Sequence, residues 1–109
     1  MPTDPSKPVH RLVIYRPKQG HYDQLAAILR THGPTLRKSG LLTDDAVRLW
    51  AATDLRRDGA ATPYFVETFH WRNGTTADKA HELPEIMAVW ETMGPHLEDM
   101  TLTTLESLV

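Results

Sequence analysis

The chain has no cysteine, almost no net charge and no long apolar run, and each shortage closes off a class of protein. Without thiols there is no disulfide framework, no thiolate nucleophile and no zinc–thiolate centre. A net charge of −2 gives no field that gathers phosphates, so nucleic acid is not an expected partner. The apolar runs are a few residues long, against the ~20 that a membrane helix needs, and no membrane partner is expected. The N-terminal residues lack the apolar core of a signal peptide, which makes a cytoplasmic protein the expectation. No glycine-rich phosphate loop, nucleophile elbow or nucleotide fingerprint occurs, so no cofactor is expected.

What is present fits one domain, since 109 residues fall within the usual ~100–150. Met1 to Pro8 holds three prolines among polar residues and reads as a disordered arm, leaving 9–109 as a single domain. Residues 1–57 carry ten Lys/Arg and five Asp/Glu, whereas 77–109 carry seven Asp/Glu and Lys79 alone. The two halves could pack on each other, or on the opposite halves of a second copy. They could equally be two solvated faces of opposite sign.

Hydrophobic spacing predicts the elements. His10–Arg16 reads as a strand closed by Pro17, and apolar residues of both parities imply that both its faces are partly covered. Lys18-Gln19-Gly20 is a turn. Tyr22, Leu25, Ile28, Leu29, His32 and Leu36 recur at helical steps, with a kink or restart expected at Gly33-Pro34 and a stop at Gly40. Ala46–Ala52 reads as a second strand, followed by a long polar, mobile connection over Thr53–Pro63. Tyr64–Arg72 is the clearest strand: Phe65, Glu67, Phe69 and Trp71 share one parity, and Tyr64, Val66, Thr68 and His70 the other. A second helical region begins near Thr76, a candidate cap, and carries Leu83, Ile86, Val89, Trp90, Met93 and Leu97, broken at Pro84 and Gly94-Pro95. Met100–Val109 reads as the last strand.

The segment Ile28–Arg37 lies over Val89–Glu98 at an offset of 61, with Thr, Gly, Pro and Leu repeated. A duplicated strand–helix–strand unit implies an α+β, ferredoxin-like βαββαβ fold: a four-stranded antiparallel sheet with two helices on one face. The uncovered face must still hide residues such as Tyr15 and Trp50. A second copy, sheet to sheet, would do this by closing an α/β barrel, so a homodimer is expected.

Three segments then resemble a known group. Lys18-Gln19-Gly20, the aromatic strand Phe65-Val66-Glu67-Thr68-Phe69-His70-Trp71, and Ala80-His81-Glu82-Leu83-Pro84 are similar to features of the dimeric α/β-barrel proteins, especially the antibiotic biosynthesis monooxygenase-like members. The resemblance spans roughly residues 9–108. It implies a homodimer and chemistry that ranges over cofactor-free oxygenases, isomerases, dehydratases and proteins without known activity. The heme-degrading branch uses an Asn-Trp-His trio, and the single asparagine here, Asn73, lies in a turn.

Glu67 stands mid-strand between aromatic residues, where a carboxylate is costly unless paired or protonated, and burial moves such a group toward the range of a general base. The family pattern brings His81 over the same cleft. Glu67 and His81 are thus the catalytic candidates, able to take a proton from a phenolic or enolic compound, or else a buried pair that clips the second helix to the sheet. Tyr15, Trp50, Phe65, Phe69 and Trp71 are the candidates for binding a small aromatic ligand, with Trp50 also suited to a dimer interface. His70 should face away from Glu67 into solvent, and Trp90 reads as core. The six histidines have no ready-made ligand spacing, so no metal site is expected. The sequence therefore supports two readings: a cofactor-free monooxygenase or isomerase of an aromatic or polyketide-like compound, and a non-catalytic ligand-binding or accessory homodimer.

Overall fold

The computed structural model describes residues 6–55 and 62–109. Four strands and three α-helices follow in the order β1 (Val9–Pro17), α1 (Tyr22–Ser39), β2 (Arg48–Thr53), β3 (Pro63–Trp71), α2 (Thr76–Ala80), α3 (Pro84–Met93) and β4 (Leu97–Leu105), with a short 3₁₀ turn at Gly94–His96. The sheet order is β2-β3-β1-β4, and every pairing is antiparallel. This is the ferredoxin-like arrangement. Parts of two expectations, the N-terminal arm and the long connection before β3, lie outside the described residues.

The register sets the two faces of the sheet. Val13 pairs with Glu67 and Leu102, and Tyr15 with Phe65 and Met100, so these residues share one side. Leu49 joins them through its pairing with Glu67. On β3 the odd-numbered residues Phe65 to Trp71 are buried beneath the helices and the even-numbered ones are half-buried on the other face. Tyr15 therefore belongs to the helix-covered side, which corrects its expected place on the open face. The open face carries Leu12, Ile14, Val66, Thr68 and Trp50, the last 47% exposed.

The helices follow from spacing. Leu25, Leu29, His32 and Leu36 step by three and four and are all buried, which lays one stripe of α1 on the sheet. Gly40, at φ 78°, ends the helix in the left-handed conformation that glycine adopts without strain. No restart occurs at Gly33-Pro34: α1 is one helix with Pro34 inside it. The carbonyl that Pro34 leaves without its helical partner belongs to exposed Arg30, where water can reach it. Gly33 faces Val47 so closely that a β-carbon would lie 3.0 Å from Cγ1, and its lack of a side chain admits the chain entering β2.

The second Gly-Pro behaves differently. Gly94-Pro95 terminates α3, and the chain turns through His96 directly into β4, which begins at Leu97 rather than Met100. The repeat diverges as helix-forming Leu36-Arg37-Lys38 follows Pro34, whereas the segment after Pro95 leads into the threonine-rich Thr101-Leu102-Thr103-Thr104. Thr76 is the first residue of α2 rather than its cap; its hydroxyl donates to Asn73 Oδ1 and accepts from the Asn73 N–H. Among the described residues no ion pair joins a lysine or arginine of the basic half to the acidic half.

The two repeated glycines should respond oppositely to substitution. Gly94, helical and facing open space, should gain about 0.4–1 kcal/mol on Gly94→Ala by restricting the unfolded chain. Gly33→Val should cost about 1–3 kcal/mol by crowding Val47. Urea midpoints of the two variants check both signs.

Candidate functional site

Glu67 is fully buried at the centre of the sheet, and its carboxylate is held from two sides. The Tyr15 hydroxyl donates to Oε1 at 2.7 Å from the neighbouring strand. From α1, His32 Nδ1 lies 2.8 Å from Oε1 and 3.0 Å from Oε2. The other nitrogen of His32 fixes the tautomer. Trp90 Nε1, a donor only, reaches His32 Nε2 at 2.9 Å. Nε2 therefore accepts, Nδ1 carries the proton, and a neutral imidazole donates to the carboxylate. One line of hydrogen bonds thus runs from Trp90 on α3 through His32 on α1 to Glu67 on β3 and Tyr15 on β1.

The network borders a cavity of about 280 Å³ between the sheet and the helices. Of the expected ligand-binding residues, Tyr15, Phe69 and Trp71 line it, as do His32 and Trp90. His81, exposed just beyond α2, also lines it and packs edge-on against Trp90 with centroids 4.8 Å apart. Met100 and Leu102, 45% and 62% exposed on edge strand β4, belong to the lining and mark the mouth with His81.

Other expected residues lie elsewhere. Phe65 is buried against Tyr22, centroids 4.7 Å apart, outside this cavity. Trp50 stands on the opposite face of the sheet. Glu67 and His81 are not hydrogen-bonded partners: the histidine on Glu67 is His32, and His81 is linked to it through the Trp90 ring. His70 does face away from Glu67, but it is half-buried rather than free in solvent, stacked on His10 with centroids 3.9 Å apart. Burial first, and the His70 ring second, hold His10 below its ordinary range, with Asp45 opposing. His21 and His96 share an Nδ1···Nδ1 hydrogen bond of 2.9 Å. Among the described residues no three metal-ligating side chains converge.

His32 is the residue that the candidate list omitted, although its signal was in the sequence. It falls on the apolar stripe of α1, and Glu67 falls on the buried parity of β3. Two polar groups forced into one core must meet each other or remain unsatisfied. Trp90 likewise reads as packing by spacing alone, and its indole N–H gives it a second role.

The fold recurs among solved structures. A conserved protein of unknown function from Bacteroides thetaiotaomicron aligns at TM-score 0.73 and 13% identity, over 94% of this chain and 99% of its own. A crystal structure of an antibiotic biosynthesis monooxygenase aligns at TM-score 0.69 and 14% identity, over 93% and 99%. The fold is that of the antibiotic biosynthesis monooxygenases. SnoaB, a cofactor-independent oxygenase from Streptomyces nogalater, shares it at TM-score 0.65 and 10% identity, over 94% and 97%. No protein-family model and no curated protein sequence matches the chain. At these identities what is shared with the monooxygenases is the backbone arrangement.

Tyr15 supplies a test of the network. Burial and the adjacent Glu67 carboxylate, which accepts its hydrogen bond, push the phenol well above its ordinary value. The native state therefore favours neutral Tyr15, a contribution present below about pH 10 and lost as pH rises beyond it. Tyr15→Phe should cost about 1–3 kcal/mol at neutral pH by depriving buried Glu67 of a donor. The variant should also lose less stability between neutral and alkaline pH than the wild type, as urea unfolding across that range will show.

Proposed function

We propose that the chain is a homodimeric enzyme that binds a small aromatic or polyketide-like compound between sheet and helices. It removes a proton from that compound without a prosthetic group, as the opening step of an isomerisation or a monooxygenation. The observation that carries this reading is buried His32, which is held by Glu67 and lines a largely apolar cavity. At about 280 Å³ the space sits just below the ~300–1,000 Å³ of drug-sized sites and suits a compound of one or two rings.

Glu67 holds the Nδ1–H of His32 and thereby directs the basic Nε2 toward Trp90. A ligand hydroxyl or acidic C–H that replaces the indole gives its proton to Nε2, and the imidazolium then faces the carboxylate. Returning the proton to another atom completes an isomerisation. The enolate left behind is the electron-rich species that dioxygen attacks in a monooxygenation. In this scheme His32 is the base and Glu67 positions it. His81, at the mouth, holds the Trp90 ring from the other side.

One observation favours the non-catalytic reading instead: both nitrogens of His32 and both oxygens of Glu67 already have partners within the chain. The enolisable two-ring ketone 2-tetralone separates the readings. The enzyme reading expects the protein to accelerate exchange of its C1 hydrogens for deuterium, followed by NMR. His32→Gln should reduce that acceleration by ~10²–10⁴-fold. Tryptophan quenching by the ketone without any exchange would leave a binding protein.

The dimer is part of the proposal. Leu12, Ile14, Val66 and Trp50 form an apolar patch on the sheet face that carries no helix, and a second copy covers it. Sedimentation equilibrium at micromolar concentration should give twice 12.3 kDa, and Trp50→Glu should shift the particle toward a single chain. A folded wild-type monomer under those conditions would remove the dimer from the proposal.

A further inference from the structure

The cavity contains a cation with almost nothing to do. Arg11 lies on β1 in the helix-facing parity, paired with Phe69 and Thr104, among residues that are otherwise apolar or bound into the Glu67 network. It is half-buried and lines the cavity. Its Nη1 donates to Thr104 Oγ1 at 2.7 Å, and among the described residues no carboxylate stands within ion-pair distance. A guanidinium has five N–H donors, so four are left for water or a ligand. Other arginines are employed differently: Arg16 faces Asp54, Arg37 binds the Thr43 and Asp45 carbonyls, and Arg72 binds the Gly40 carbonyl.

No acidic group among the described residues offsets this charge at the cavity surface. Glu67, two residues further along the pairing of β1 with β3, has both oxygens taken by Tyr15 and His32. An aromatic ligand that covered Arg11 with carbon would strip water from donors and replace it with nothing, a loss that a planar carboxylate reverses through two parallel hydrogen bonds. We propose that the ligand is an aromatic acid whose carboxylate is held by Arg11. This rests on the cavity being the ligand site.

The register also fixes the length of that acid. Arg11 is two residues along β1 from Val13, which pairs with Glu67, the carboxylate that holds His32. At ~3.4 Å per strand residue the backbone levels of Arg11 and Val13 are about 7 Å apart along the strand. That separation places the reactive hydrogen on the far part of a one- or two-ring skeleton, remote from the carboxylate. Thr104 holds the guanidinium from the edge strand and keeps its free side toward the cavity.

Two isosteric probes test the assignment: 2-naphthoate and the neutral 2-naphthamide, titrated against the tryptophan fluorescence of the full chain. Trp71 and Trp90 both line the cavity and serve as reporters. The expected result is acid binding about 10-fold or more tighter than amide binding to the wild type, equivalent to about 1.4 kcal/mol. Arg11→Met should abolish the preference by weakening binding of the acid far more than of the amide, and Arg11→Lys should keep part of it. Should Arg11→Met not fold, Arg11→Gln and the wild-type ratio carry the test. Equal binding of acid and amide overturns the role of Arg11 while leaving the cavity as the site. An acid preference that survives in Arg11→Met overturns it too. Binding of neither probe removes both the acid and the cavity as a site for two-ring aromatics.

Discussion

The structure turns on a carboxylate placed where carboxylates are rarely tolerated, in the middle strand of a sheet and on its covered face. Glu67 can occupy that position only because Tyr15 and His32 bring donors to it from β1 and α1. These bonds constrain how far α1 slides over the sheet, and the indole of Trp90 extends the constraint to α3. Apolar packing around Leu25, Leu29, Ile86 and Met93 supplies most of the cohesion, as burial of such side chains generally does. The polar line decides which of the alternative packings is adopted, because a shift of either helix would leave a buried charge without its partners.

The cavity follows from the same arrangement. The helices cover β3 and β1 well but cover the outer edge of the sheet poorly, where Met100 and Leu102 stay exposed on β4. Between that edge and the His32–Trp90 contact lies room that no side chain among the described residues fills. The fold thus sets a rigid, hydrogen-bonded floor beside a wall built from shorter pieces.

Much of this was legible in the sequence, for reasons that differ from element to element. Strict alternation from Phe65 to Trp71 set both the strand and its buried parity, and the three-and-four spacing of Leu25, Leu29 and Leu36 set the buried stripe of α1. Duplication then gave the topology, although the two Gly-Pro pairs, alike in sequence, have different outcomes because the residues after them differ. Pairing across the core was not legible in the same way. Spacing says that Glu67 and His32 are buried, but which of six histidines meets the carboxylate depends on how deeply α1 lies across the sheet. The family resemblance points to His81, which the fold places at the mouth. Trp90 illustrates the limit, since an indole reads as apolar in any periodicity while its single N–H determines the tautomer of His32.

The break between Ala80 and Pro84 has a consequence for how such a protein can change over generations. The stretch that carries His81 is a single helical turn, tied down by Asn73, Thr76 and buried Ala80, and separated by a proline from the longer helix behind it. Insertions or deletions there would reshape the entrance while α1, the sheet and the Glu67 contacts stay as they are. A lineage built on this scaffold can therefore alter the mouth of the cavity by editing that short stretch, without renegotiating the core.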